Sequence, residues 1–90
     1  MLNSSERKAL KARAHKLEPV VIIGTKGLTD EVVKEVDLAL KAHELIKVRA
    51  PGMERDMREV ALKELCERTG ADPVQSIGKV FVIFRKRDDA

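Results

Sequence analysis

Pro19-Val20-Val21-Ile22-Ile23-Gly24-Thr25-Lys26-Gly27-Leu28-Thr29 decides how this chain folds. Val20–Ile23 is a short, β-branched, continuous apolar run. That pattern predicts a strand with both faces largely buried. Gly24 and Gly27 break the run. Thr29 can then cap a helix, with Asp30 and Glu31 in its first turn, where carboxylates suit the positive end of the helix dipole.

On the N-terminal side, a helix is predicted from about Asn3 to Leu17. Asn3 followed by Glu6 is an asparagine version of the capping box. Leu10, Ala14 and Leu17 share one helical face, and Pro19 disfavours helical geometry at Glu18. On the C-terminal side, Val32, Val33, Val36 and Leu40 form the core stripe of the second helix, with His43 in its last turn. Leu45–Ala50 predicts a second strand and Pro51-Gly52 a turn. A third helix is expected from Arg55 to Thr69, with Met57, Val60, Ala61 and Leu65 inward and Gly70 as its C-terminal cap. Pro73–Ile77 and Val80–Phe84 predict two more strands, joined at Gly78-Lys79.

The predicted order is α-β-α-β-α-β-β. Strands alternating with helices favour parallel crossovers, whereas the short final turn makes the last two strands antiparallel. The expected fold class is α/β (α+β): a single compact domain with a mixed four-stranded sheet and helices packed against it.

Ninety residues suffice for one domain with a small core. Charged residues make up 37% of the chain, and no apolar run approaches the roughly 20 residues of a membrane span. The opening residues lead into charged, helix-like sequence without an apolar leader, and the single Cys66 has no partner for an internal disulfide. Both features predict a reducing, cytoplasmic setting.

Net charge is +3, but it is unevenly distributed. Residues 1–27 carry six Lys/Arg against two acids, and Lys47 and Arg49 stand in the second strand without an acid beside them. Residues 28–46 carry two against five, and residues 51–72 four against six. The asymmetry predicts one basic surface, the footprint of nucleic-acid binding.

Gly24-Thr25-Lys26-Gly27 is the motif with chemistry attached. Its glycines permit a tight turn and close approach of a phosphate backbone to main-chain amides. Lys26 adds a mobile positive charge. The arrangement matches the physics of GxxG loops in RNA-binding modules. A GxxG on its own is a common turn, so its setting between strand and helix matters. Asp30 and Glu31 oppose a phosphate on the helix axis, which directs an RNA toward the basic first helix instead.

Taken together, Pro19–Thr29, Ala42–Val48 and Gln75–Lys79 resemble the CRM domain, the chloroplast RNA splicing and ribosome maturation family. The length is similar to its stand-alone bacterial form, the YhbY family. The resemblance spans the Ser4/Ser5 region to about Arg85 and assigns residues 1–87 to one CRM-like RNA-binding domain, with a short tail at 88–90. It implies association with precursors of the large ribosomal subunit and a fold similar to the C-terminal domain of translation initiation factor three. The family's GxxG glycines map onto Gly24 and Gly27, with Thr25 and Lys26 between them. Two departures are Leu10, where relatives often carry an aromatic, and Asp88-Asp89, which dilute the charge of the tail.

Arg7, Lys8, Lys11 and Lys16 are candidates for phosphate contact beside the loop. Lys47 and Arg49 either line the same surface or guard an edge strand against pairing with another chain. Arg85-Lys86-Arg87 is a solubilising tail or a further contact. His43 is expected to face carbonyls at its helix end, His15 to lie beside the basic cluster, and Met53 and Met57 to pack. No His/Cys/Asp/Glu group has metal-ligand spacing, no nucleophile has a supporting signature, and neither cofactor nor enzymatic activity is expected. With only Phe81 and Phe84 as aromatics, base stacking has little to work with, so backbone contacts must carry recognition. The expected function is therefore that of a monomeric RNA-binding ribosome-assembly factor contacting large-subunit precursor RNA. Acidic faces on the second and third helices support an alternative, a module docking on a ribosomal protein or assembly factor.

Overall fold

The structure is a computed structural model and describes residues 2–87. The tail expected at 88–90 lies outside the described residues. The elements are α1 (Ser4–Ala14), β1 (Pro19–Ile22), α2 (Asp30–His43), β2 (Leu45–Arg49), α3 (Arg55–Thr69), β3 (Asp72–Ile77) and β4 (Val80–Phe84). The expected order α-β-α-β-α-β-β is borne out.

The first two helices begin with side-chain caps, whereas α3 starts after Glu54 without one. At α1 the Glu6 N–H donates to Asn3 Oδ1 at 2.7 Å, and the Asn3 N–H donates to Glu6 Oε1 at 3.1 Å. This reciprocal pair satisfies two donors that the first helical turn leaves open. At α2 the Val32 N–H donates to Thr29 Oγ1 at 3.2 Å. α3 ends at Gly70, whose φ of 74° is the left-handed conformation that glycine adopts without a Cβ penalty. α1 stops at Ala14, short of the expected Leu17, as the His15 and Leu17 amides turn back to Ala12 and Ala14. Pro19 therefore opens β1 rather than closing α1.

The four strands lie in the order β1-β2-β4-β3. β1 and β2 are parallel, while β4 is antiparallel to both its neighbours. β3 thus runs in the same direction as β2, and β4 fills the space between them. Both prolines of the sheet, Pro19 and Pro73, sit on edge strands, where a missing N–H costs no ladder bond.

Side-chain alternation divides the core in two. Val21, Ile23, Ile46, Val48, Phe81 and Ile83 face α2 and α3, meeting Val36, Leu40, Ala61 and Leu65. Leu45, Val74 and Val82 face the other way and meet Leu2, Leu10 and Ala14 beside α1. Phe81, fully buried, anchors the larger cluster. The expectation that β1 is covered on both faces is corrected: Val20 is 51% exposed and Ile22 59%. They point toward the α1 side at the sheet edge, beyond the helix. Val60 at 67% and Met57 at 61% are likewise outside the core rather than inward. α3 turns Ala61 and Leu65 to the sheet and leaves those two on its flank.

Arg85 ties three elements together. Its Nη1 donates to Asp37 Oδ1 at 2.6 Å and to the Thr69 carbonyl at 2.7 Å, and its Nη2 donates to the Asp37 carbonyl at 3.1 Å. Arg87 stays exposed, but its main-chain N–H donates to Glu44 Oε2 at 2.7 Å and its Nη1 reaches the Ala42 carbonyl at 3.4 Å. The Arg85 guanidinium therefore holds the chain after β4 against α2, and the main chain at Arg87 adds a second tie.

The Arg85 guanidinium holds the Asp37 carboxyl below its ordinary 3.8. A carboxylate with a depressed folded-state pKa contributes stability above its unfolded pKa and loses it as pH falls through the folded value. Arg85→Met should lower stability by about 2 kcal/mol at neutral pH, the scale of charged hydrogen bonds. In denaturant titrations across pH, the gap from wild type should hold above about pH 5 and narrow below about pH 4. Cys66 is buried, and burial, with the charge of Asp72 added, pushes its thiol up to about 11. A thiol-specific disulfide reagent should therefore label the native protein only at the rate of unfolding.

Candidate nucleic-acid interface

β1 ends at Ile22, and the Ile23 N–H still reaches the Arg49 carbonyl at 2.7 Å. The chain then reverses: the Gly27 N–H donates to the Gly24 carbonyl at 3.1 Å, closing a four-residue turn with Thr25 and Lys26 exposed at its tip. Gly27 has φ of 75°, so the turn itself requires glycine there. Gly24 is different. Its φ is ordinary for any residue, and a Cβ added to it would meet nothing within 4 Å. Glycine at 24 leaves open space in front of the backbone rather than serving the fold.

Register carries this end of the sheet across all four strands. Ile22 lies beside Arg49, Arg49 beside Val80, and Val80 beside Ile77. The Lys79 carbonyl accepts the Ala50 N–H at 2.7 Å, which brings the β3–β4 turn to the same end. One row further in, Lys47 lies beside Val82. There a cleft of about 340 Å³ opens between α1 and the uncovered sheet, lined by Lys11, His15, Lys47, Gln75, Ile77 and Val80 among others. No aspartate or glutamate lines it.

The expected basic residues are thus partly gathered. Lys11 and Lys47 share the cleft, Arg49 stands in the row beside the turn, and Lys26 is on the turn. Arg7 and Lys8 lie one helical turn before Lys11 on the same side of α1, where residues three and four apart are neighbours. Lys16 is not with them. It lines a second cleft with Arg13, Leu17, Glu18, Val20 and His43. His43 is exposed there, and no hydrogen bond to helix-end carbonyls is seen.

Ion pairing separates the two halves of the molecule. Among the described residues the pairs are Lys41–Asp37, Arg55–Glu59, Arg68–Asp30, Arg68–Glu64 and Arg85–Asp37, all on α2, α3 or the end of β4. None involves Lys11, Lys26, Lys47 or Arg49. Asp30, which would repel an anion at the start of α2, is held by Arg68 at 2.6 Å. The cations of the turn and cleft can therefore serve an external anion.

His15 lies beside the basic residues, as its sequence position suggested. Sequence reasoning missed Lys79 as a member of this surface, and Ile22, Ile77 and Val80 as its apolar floor. Alternation places the strand residues on one face once the register is known. Nothing local announces that the face is left open.

The family model for the CRS1 / YhbY (CRM) domain matches residues 2–85. The chain belongs to this family. An RNA-binding protein of Haemophilus influenzae is 38% identical over 89 residues, covering 99% of this chain and 90% of that protein. A Pseudomonas aeruginosa relative, named as a probable RNA-binding protein, is 45% identical over 85 residues, 94% of this chain and 82% of its own. The solution structure of a Staphylococcus aureus candidate RNA-binding protein superposes with a TM-score of 0.88 at 31% identity, covering 99% of this chain and 93% of that one. The expected resemblance and fold class are both borne out.

The two glycines of this CRM domain should respond differently to substitution. Gly27→Ala should cost about 1 kcal/mol, since alanine must take a left-handed φ. That is roughly a 5 °C fall in Tm for a domain of this size. Gly24→Ala should leave Tm within about a degree, because the site is neither strained nor crowded. Thermal melts of the two variants check both statements.

Proposed function

We propose that this chain binds RNA through the Gly24–Gly27 turn and the adjoining cleft, and acts as a ribosome-assembly factor on large-subunit precursor RNA. The observation that carries the reading is the meeting of an open glycine turn with cations that lack acid partners, at one end of one sheet. The backbone passes the turn, where Gly24 allows close approach and Lys26 neutralises a phosphate. Arg49, Lys47 and Lys11 continue the track along the sheet face, with Arg7 and Lys8 extending it on α1. Ile22, Val80 and Ile77 give the ribose and base edges an apolar floor without aromatic stacking.

Recognition of this kind reads backbone and shape more than sequence. The protein acts as a monomer in the cytoplasm, by binding and not by turnover, holding a precursor segment until it folds. RNA-binding relatives from several bacteria support the ligand class, and the family resemblance supports the ribosomal setting.

Fluorescence anisotropy of a labelled large-subunit RNA fragment across a salt series tests the reading. Log affinity should fall linearly with log salt, by about 0.7–0.9 per phosphate neutralised. Lys47→Ala should reduce that slope by about 1. Thr25→Asp/Lys26→Asp should abolish most binding while circular dichroism stays unchanged. Gly24→Ala should weaken binding without loss of Tm. Unchanged affinity in the folded Thr25/Lys26 variant would remove the turn from the site. Equal affinity for a small-subunit fragment of the same length would remove the large-subunit assignment and leave RNA binding in place.

A further inference from the structure

On the opposite side of the glycine turn lies a second groove, with the opposite charge. It has a volume of about 390 Å³ and runs from Gly27 and Leu28 along one flank of α3, where Met53, Met57 and Val60 supply its walls. Asp56 and Glu64 line it too, and no lysine or arginine does. Glu64 shares Arg68 with Asp30, at 3.7 and 2.6 Å, so two carboxylates there divide one guanidinium, and no ion pair is seen at Asp56 among the described residues. The groove leaves Met57 and Val60 more than half exposed.

We propose that this groove docks a basic amphipathic helix of a protein partner. Met57, Val60 and Glu64 recur at three- and four-residue spacing, the pattern of a helix presenting one stripe along its axis, and Met53, just before the helix, extends the groove beyond its first turn. An incoming helix meets such a stripe with apolar side chains at the same spacing, the helix-in-groove mode of recognition. Methionine side chains adapt to a partner's shape at little cost. Lysine or arginine flanking the partner's apolar face would reach Asp56 and Glu64. The same carboxylates repel RNA phosphates, which find unpaired cations on the other face. A second copy of this chain fits poorly: its basic helix, α1, already buries its apolar residues Leu10 and Ala14. The proposal concerns the face away from the RNA cleft and does not depend on what binds there.

The test is an NMR titration of the full chain with two synthetic peptides of identical apolar pattern, one Leu/Lys and one Leu/Glu. The Leu/Lys peptide should shift the amides of Leu28, Met57 and Val60 and bind at least about tenfold more tightly than the Leu/Glu peptide, the scale on which charge complementarity discriminates partners. Val60→Asp, at an exposed position, should weaken that binding about tenfold. Asp56→Lys/Glu64→Lys should reverse the preference between the peptides. Equal affinities, or shifts confined to other residues, would overturn the proposal. Shifts of the same amides by a single-stranded RNA oligonucleotide would instead assign the groove to nucleobases. Shifts that grow with protein concentration alone would assign it to self-association. Either result would also overturn it.

Discussion

The face of the sheet turned toward α1 is only partly covered, and most of the molecule's surface character follows from that. α1 has 11 residues and so is about 16 Å long. A helix about 10 Å across spans roughly two strands at their usual spacing, and this sheet has four. Leu10 and Ala14 cover Leu45, Val74 and Val82 at one end. At the other end Ile22, Arg49 and Ile77 are exposed, in a row that begins beside the glycine turn and crosses the sheet. On the far face α2 and α3 together seal the larger cluster around Phe81. The unequal helix count on the two faces turns one of them into a cleft.

Charge is partitioned along the same division. Arg55 and Arg68 of α3 and Arg85 just after β4 are engaged by carboxylates of α2 and α3, and the Arg85 contacts with Asp37 and Thr69 join those helices to the last strand. The exposed pairs among them, unlike the part-buried Arg85 contacts, add little stability individually. Their larger effect is on availability. Cations with a carboxylate at 2.6 Å are poor ligands for phosphate, and those of the turn and cleft have no such neighbour. A net charge of only +3 thus supports a strongly basic local surface. It also supports an acidic apolar groove on the other side of the same turn.

Most of the fold was legible because its signals are local. Asn3 and Glu6 mark a helix start, Thr29 another, and Gly70 a helix end, each through hydrogen bonds or a φ value set within a few residues. The strands read as β-branched runs, and the Gly78-Lys79 turn forced the last two to be antiparallel. Misreadings arose where burial depends on a distant neighbour. Val20 and Ile22 look like core from their chemistry, yet β1 is an edge strand beyond the reach of α1. Met57 and Val60 fit a helical apolar stripe, yet α3 turns Ala61 and Leu65 to the sheet instead. Arg85 and Arg87 read as a solvated tail, and only the fold shows them pinned to α2.

By itself, the sequence determined the elements, their order, the glycine turn and the family, since each rests on spacing within a segment. Tertiary structure alone decided which cations act together. Lys11 and Lys47 are 36 positions apart, and the turn of α1 over the sheet brings them to one cleft. Lys16, five residues from Lys11, is rotated to another. Helix phase and strand register, which are fixed by packing of the buried side chains, place a charge on one face or the other. That packing is a property of the whole chain and is written in no single stretch of it.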